Sequence, residues 1–190
     1  MDLAPLISTF AIVALAELGD KTQLAAMTLS AKYRAVSVFA GAMMAMALVD
    51  GVSILAGATL ADLVPMQIVR LVGAAIFIGF GIRTLISKED EKIKIRSGKS
   101  AVLTSFSMVS VMELGDKTQF TVIALAAEYN SPILVFTGMM LAYVLLMGVG
   151  VVVGSRLLKF IPKGYLKTFT AALFLVFGAV FLLGALGVSF

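Results

Sequence analysis

The chain has 190 residues, of which 61% are hydrophobic and 14% are charged, and its formal net charge is +4. Because a soluble domain carries about 25% charged residues, this composition excludes an ordinary soluble fold and predicts an all-α polytopic membrane protein. The chain has no cysteine and no histidine. This excludes disulfides and histidine-based catalysis and argues against zinc and copper sites.

The apolar stretches predict six transmembrane helices, since a helix needs about 20 residues to cross a bilayer. The predicted helices cover about 3–29, 36–60, 66–86, 101–127, 132–157 and 165–187. Most connections are short and carry turn or helix-breaking residues such as Pro65, Asn130 and Pro162. The exception is a polar linker of mixed charge at 87–100. It divides the chain into a first three-helix repeat, 1–86, and a second, 101–190.

One charged heptapeptide, Glu-Leu-Gly-Asp-Lys-Thr-Gln, occurs twice, each time inside a predicted membrane helix. It occupies residues 17–23 and returns letter for letter at 113–119. A charge in the bilayer interior costs roughly 2.5–3.5 kcal/mol on insertion scales, so such residues are functional-site candidates. On a continuous helix, the Glu, Asp and Lys of each copy would lie on one face. Ion pairs that merely hold helices together would not explain two identical copies, each with an acid to spare.

The two motifs belong to a duplication of the whole chain. With one inserted residue, the halves align from the motif through Gly41 and Gly138 to the third helices. Because each half has three helices, the second is predicted to be inverted in the membrane, and equivalent loops indeed carry opposite charge bias. The basic face has Lys32, Arg34, Arg83, the five bases of the linker, Arg156, Lys159, Lys163 and Lys167, whereas the other face has Arg70 alone.

The positive-inside rule makes the basic face cytoplasmic. The linker is therefore predicted to be cytoplasmic and both termini to lie outside. The basic composition reflects this topology, so we expect the lipid bilayer as a partner and no nucleic acid.

The depth of the motifs predicts a substrate site at the bilayer midplane. Each copy begins about twelve residues into its helix, which is roughly 18 Å at 1.5 Å per residue. Inverted-repeat transporters place their substrates at this depth. Carboxylate, amide and hydroxyl oxygens suit hard divalent cations such as Mg²⁺, Ca²⁺ and Mn²⁺. Four acids and two lysines leave two negative charges, which one divalent cation or two protons would neutralise. A cation/proton exchanger is the resulting hypothesis.

The candidate site residues fall into three groups by expected role. The predicted metal ligands are Glu17, Asp20, Glu113 and Asp116, and the charge-balancing residues are Lys21 and Lys117. Further ligands or proton-relay groups are Gln23, Gln119, Asp50, Thr22 and Thr118. Asp50 breaks the repeat symmetry, because Met147 is its counterpart; it is a fifth ligand, a proton relay, or an Asp hydrogen-bonded to serine or backbone. Gly19 and Gly115 would let the helix unwind or let two helices approach closely.

The doubled Glu-Leu-Gly-Asp-Lys-Thr resembles the E-x-G-D-[KR]-[TS] signature of a family of cation/proton exchangers. That family includes the Golgi calcium/manganese transporters of eukaryotes and the bacterial manganese exporters. The resemblance covers the whole chain and implies export of Mn²⁺ or Ca²⁺ from the cytosol against protons, with the motif acids as ligands and no fixed cofactor. The short form, without the long leader and loop of the eukaryotic members, implies a bacterial inner (plasma) membrane.

Two other functions compete with this prediction. An exporter of small organic solutes such as amino acids would bind a carboxylate through Lys21 and Lys117, but the predicted pocket is net acidic. An intramembrane enzyme with paired carboxylates would need a nucleophile or a histidine-bound metal, and the sequence supplies neither. We therefore expect no enzyme. A homo-oligomer is compatible with the sequence, which does not fix the oligomeric state.

Overall fold

The computed structural model describes residues 2–86, 100–153 and 163–187, and all regular structure in these segments is helical. The helices are α1 (Ala4–Glu17), α2 (Lys21–Ser30), α3 (Ala35–Leu63), α4 (Met66–Ile86), α5 (Ala101–Glu113), α6 (Lys117–Tyr129), α7 (Pro132–Val153) and α8 (Lys163–Ala185). Residues 87–99 of the predicted linker, together with Arg156 and Lys159, lie outside the described residues.

Among the described residues, three helices are long and apolar enough to cross a bilayer on their own: α3, α4 and α7 over Pro132–Val151. Large apolar side chains remain exposed along them, for example Leu63 at 75% and Ile133 at 79%. Such a surface would be unfavourable in water but suits a lipid environment. The described segments therefore form an all-helical structure with the apolar surface and helix lengths of a membrane protein.

The helices predicted at 3–29 and 101–127 are each broken inside the motif. α1 ends at Glu17 and α2 begins at Lys21, while α5 and α6 are separated at the equivalent point. Gly19 and Gly115 both have φ of +75°, a conformation that glycine adopts without strain. The prediction that each copy's charges share one continuous helix face is therefore wrong, because the backbone leaves the helix between the Glu and the Lys.

Close backbone contacts join the two halves in pairs. α1 packs on α7, and α5 packs on α3. A Cβ at Gly41 would lie 2.3 Å from the Val102 carbonyl oxygen, and a Cβ at Gly138 would lie 2.4 Å from the Leu6 carbonyl oxygen. Leu6 and Val102 are equivalent in the repeat alignment, as are Gly41 and Gly138. Replacing each residue by its counterpart in the other half therefore converts one interface into the other; in this sense the two interfaces correspond when the halves are exchanged. Each requires glycine for the helices to approach closely.

The last helices of the two halves, α4 and α8, pack on each other along their length. Their contact contains phenylalanines in tilted arrangements, with the ring centroids of Phe77 and Phe181 5.2 Å apart and their planes at 58°. At one end, Arg70 of α4 donates to Glu128 at the end of α6, with Nη2 2.7 Å and Nε 2.9 Å from its two carboxylate oxygens. Arg70 Nη1 also donates to the Gly184 carbonyl of α8, at 3.2 Å. This side chain fastens three helices together.

Candidate cation site

The two helix breaks meet, and the charges of each motif pair with those of the other. Lys117 Nζ donates to Asp20 Oδ1 at 2.6 Å, and Lys21 Nζ lies 3.6 Å from Asp116 Oδ1. These two ion pairs correspond when the halves are exchanged. Lys117 also lies 3.6 Å from Glu17 Oε1. The structure therefore brings the two patches together as one site, with each lysine beside the acid of the opposite half.

The two motif glutamines brace the unwound backbone. The Gly19 N–H donates to Gln23 Oε1 at 2.8 Å, and the Gly115 N–H donates to Gln119 Oε1 at 2.7 Å. Each amide also donates into the opposite half, Gln23 to the Leu146 carbonyl and Gln119 to the Ser53 hydroxyl. Because both ends of each amide have protein partners, this geometry favours bracing over the ligand role that the sequence suggested.

The two motif glutamates lie deepest in the site. Glu17 is 1% exposed and Glu113 is 0% exposed. The Thr118 hydroxyl donates to Glu17 Oε1, again across the halves. Thr22 is the repeat counterpart of Thr118, but its buried hydroxyl has no hydrogen-bond partner. Glu17 thus has a hydrogen-bond donor from the opposite half, whereas neither carboxylate oxygen of Glu113 has a partner.

Buried oxygens without partners concentrate in and next to the motifs. Within the described segments, eight such side-chain oxygens belong to Glu17, Asp20, Thr22, Asp50, Ser110, Glu113 (both oxygens) and Asp116. Buried polar atoms normally have a hydrogen-bond partner, and a buried carboxylate without a counter-charge is strongly unfavourable. This set of oxygens is suited to bind a cation or protons.

Three of the four predicted metal ligands are close enough to share one ion. One carboxylate oxygen from each of Glu17, Asp20 and Asp116 lies within 4.8 Å of the others. Oxygens bound to one hard cation at about 2.3–2.6 Å are separated by no more than about 5 Å, so this group fits a single ion. Glu113 is outside the group, although both of its oxygens are buried and unpartnered. The group draws ligands from both halves of the chain.

Sequence reasoning missed the partner of Asp50. Tyr143 of α7 donates its hydroxyl to Asp50 Oδ2 at 2.7 Å, and both side chains are 0% exposed. The bond joins the two halves and is neither of the serine and backbone contacts considered from the sequence. The available signal was in the alignment, where Tyr143 stands opposite Met46 just as Asp50 stands opposite Met147.

The family described as divalent cation/proton antiporter GDT1 matches the chain over residues 5–92 and 101–189. The chain belongs to the GDT1 family. This confirms the resemblance seen in the motifs and places the chain in a family of transporters. No solved structure matches it.

Named relatives of this GDT1 family member come from bacteria, fungi and plants. The "Putative manganese exporter" of Vibrio cholerae is 31% identical, over 86% of this chain and 83% of the relative. "GDT1-like protein C186.05c" of Schizosaccharomyces pombe is 33% identical, over 87% of this chain and 84% of its own length. "Protein PAM71, chloroplastic" of Arabidopsis thaliana is 29% identical over 91% of the chain, but the match spans only 55% of that protein.

Proposed function

We propose that this chain is a divalent cation/proton antiporter that exports Mn²⁺, or Ca²⁺, from the cytoplasm. The observation that carries the proposal is the cross-half group of Glu17, Asp20 and Asp116, whose oxygens lie within 4.8 Å of one another. Membership of the GDT1 family supports cation/proton exchange as the reaction. The name of the Vibrio relative, a putative manganese exporter, makes Mn²⁺ the first ion to test.

The proposed ligands are the four motif acids. Glu17, Asp20 and Asp116 form the group, and Glu113 completes the set, since both of its buried oxygens lack a partner. Lys21 and Lys117 balance part of the negative charge. A metal ion supplies two positive charges to this site; when it leaves, protons replace them, because neighbouring carboxylates in a low dielectric repel one another. Metal and protons therefore compete, which is the basis of antiport.

The proposed architecture is six membrane-crossing segments in two inverted three-helix repeats, 1–86 and 101–190, joined by the linker 87–100. The pairwise exchange of contacts supports it. Besides the ion pairs and the glycine contacts of α3 and α7, a Cβ at Gly81 would lie 3.2 Å from the Ala171 carbonyl oxygen. Its repeat counterpart, Gly178, would meet the Ala74 carbonyl oxygen at 3.3 Å. Contacts that map onto each other when halves are exchanged are expected from a pseudo-two-fold axis.

The proposed location is the bacterial inner membrane, with both termini outside and the linker in the cytoplasm. The Arg70–Glu128 contact supports this topology, since the charge distribution assigns the loops next to both residues to the outer face. At the equivalent positions of the opposite face the sequence has Lys167 and Lys32. That face is therefore basic in both halves, as expected of a cytoplasmic surface.

The test is metal-dependent proton flux in proteoliposomes containing the purified protein and an internal pH dye. We expect external Mn²⁺ or Ca²⁺ to enter while protons leave, and Glu17→Gln, Asp20→Asn, Glu113→Gln and Asp116→Asn each to abolish this flux. Asp62→Asn is the matched control, because Asp62 is exposed near the end of α3. Normal flux in the motif variants would show that the acids are structural. If no divalent cation moves protons, the antiport assignment is wrong.

A further inference from the structure

The two halves of the site differ at one pair of positions. Asp50 on α3 contacts Tyr143 on α7, whereas the exchange of halves places Met147 and Met46 at the corresponding positions. All four side chains are at most 1% exposed. The repeat symmetry of the motifs therefore does not extend to this pair, and one side of the site carries a fifth acid with a dedicated hydrogen-bond donor.

The environment of Asp50 differs from that of the motif acids. Asp20 and Asp116 each face a lysine, but no lysine or arginine in the described part of the chain forms an ion pair with Asp50. Its Oδ2 accepts from Tyr143, and its Oδ1 is buried without a partner. Asp50 also lies outside the group of oxygens that fits one ion. For a fully buried carboxyl group with one unpartnered oxygen and no lysine or arginine beside it, binding a proton is the most favourable way to lose its negative charge.

The titratable groups facing Asp50 come from each half of the site. Glu113 at the end of α5 and Asp116 at the start of α6 interact with it electrostatically, and Tyr143 reaches it from α7. When no cation is present, the negative charges of these two acids make ionisation of Asp50 unfavourable. A divalent cation among the motif acids reverses this effect. Metal binding at the motifs is thus coupled to proton binding at Asp50 without a shared ligand atom.

We propose that Asp50, positioned by Tyr143, binds one of the protons that this transporter exchanges for metal, at a site separate from the metal ligands. The inference rests on the proposed antiport function and assigns one of its protons. A proton from outside forms an O–H bond at Oδ1 while Tyr143 continues to donate to Oδ2. When metal enters from the cytoplasm, that O–H bond breaks and the proton is released to the cytoplasm.

Two proteoliposome assays separate this role from metal binding. The first measures uptake of Mn²⁺ driven by a proton gradient, and the second measures exchange of internal for external Mn²⁺ at equal pH, which needs no net proton movement. We expect Asp50→Asn to lower proton-driven uptake at least about tenfold while Mn²⁺/Mn²⁺ exchange stays within about twofold of wild type. Glu17→Gln should lose both activities, and Asp62→Asn on the same helix should lose neither.

Tyr143→Phe tests positioning, because it removes only the hydroxyl. We expect this variant to retain Mn²⁺/Mn²⁺ exchange and to shift the pH midpoint of proton-driven uptake upward by about one unit, since the lost hydrogen bond favoured the carboxylate form. An unchanged pH profile would show that Tyr143 serves packing only.

The outcomes distinguish this inference from the antiport proposal. If wild type shows neither activity, the proposed function fails. If wild type shows both but Asp50→Asn keeps normal proton coupling, or loses Mn²⁺/Mn²⁺ exchange as Glu17→Gln does, then Asp50 is not a separate proton site.

Discussion

Replacing Lys117 with methionine should make the site bind metal more tightly and release it more slowly. The Nζ of Lys117 lies 2.6 Å from Asp20 and 3.6 Å from Glu17, so it neutralises two acids of the proposed metal group. Methionine has a similar length and no charge. The variant removes the positive charge that competes with the ion and leaves the two carboxyl groups themselves unchanged.

The size of the effect follows from the charge separation. One unit charge interacts with another at 4 Å by about 4 kcal/mol at an effective dielectric of about 20. Only part of this energy should appear as tighter Mn²⁺ binding, because the acids also lose a partner that held them in position. We therefore expect a gain of about 1.4–2.8 kcal/mol, which is a tenfold to hundredfold lower Kd for Mn²⁺.

Lys21→Met is the matched control, because Lys21 is the repeat counterpart. Its Nζ lies 3.6 Å from Asp116 and its side chain is 34% exposed, against 13% for Lys117. Water screens its charge more strongly, so its effect should be smaller. Calorimetric titration of Mn²⁺ into detergent-solubilised protein measures Kd, and proteoliposome flux measures turnover, which should fall in Lys117→Met. Weaker Mn²⁺ binding in Lys117→Met than in wild type would refute the charge-balancing role.

Three further predictions concern topology and packing. Because the natural chain has no cysteine, single cysteines can report sidedness: Lys32→Cys should react with an impermeant maleimide only from the cytoplasm, and Glu128→Cys only from outside. Labelling of both from one face would contradict the inverted repeat. Gly41→Ala should lower the free energy of unfolding by about 1–3 kcal/mol, because its Cβ would meet a backbone oxygen at 2.3 Å. Gly148→Ala should not, because a Cβ there would have nothing within 4 Å. Equal losses of stability in the two variants would refute the close-packing argument. A double-mutant cycle of Arg70→Gln and Glu128→Gln should give a coupling of about 1 kcal/mol, since both side chains are partly exposed; a coupling near zero would show that the contact is not stabilising.

The repeats and the composition were sufficient to predict an all-helical membrane protein with its charges gathered at one place. Charges that recur at the same depth in two halves must meet if the halves are related by a two-fold axis, and the Asp20–Lys117 contact shows that they do. The helix boundaries near Pro65 and Asn130 followed from these breakers, whereas the boundaries inside the two motifs did not follow from apolar length. Asn130 indeed has a positive φ at the end of α6.

Other features of the site are visible only in the three-dimensional structure. From the sequence, Gly19 was compatible with an unwound helix and with close helix packing. Glycine serves both purposes, so only the structure shows that here it provides a positive φ. The choice of partners across the halves depends on the relative rotation of helices, which apolar patterning does not fix. The hydrogen bond from Tyr143 to Asp50 joins positions 93 residues apart. The repeat alignment marks both positions as departures from symmetry, but it does not show that the two side chains touch.

The most direct test of the central claim is the stoichiometry of metal binding, measured by electron paramagnetic resonance of free Mn²⁺ in titrations of the purified protein. If the two motifs form one shared site, wild type binds one Mn²⁺ per chain. Asp20→Asn and Asp116→Asn should each weaken that binding at least about tenfold, although they lie in different halves. Two equivalent ions per chain, or one motif whose aspartate is dispensable, would contradict a shared site.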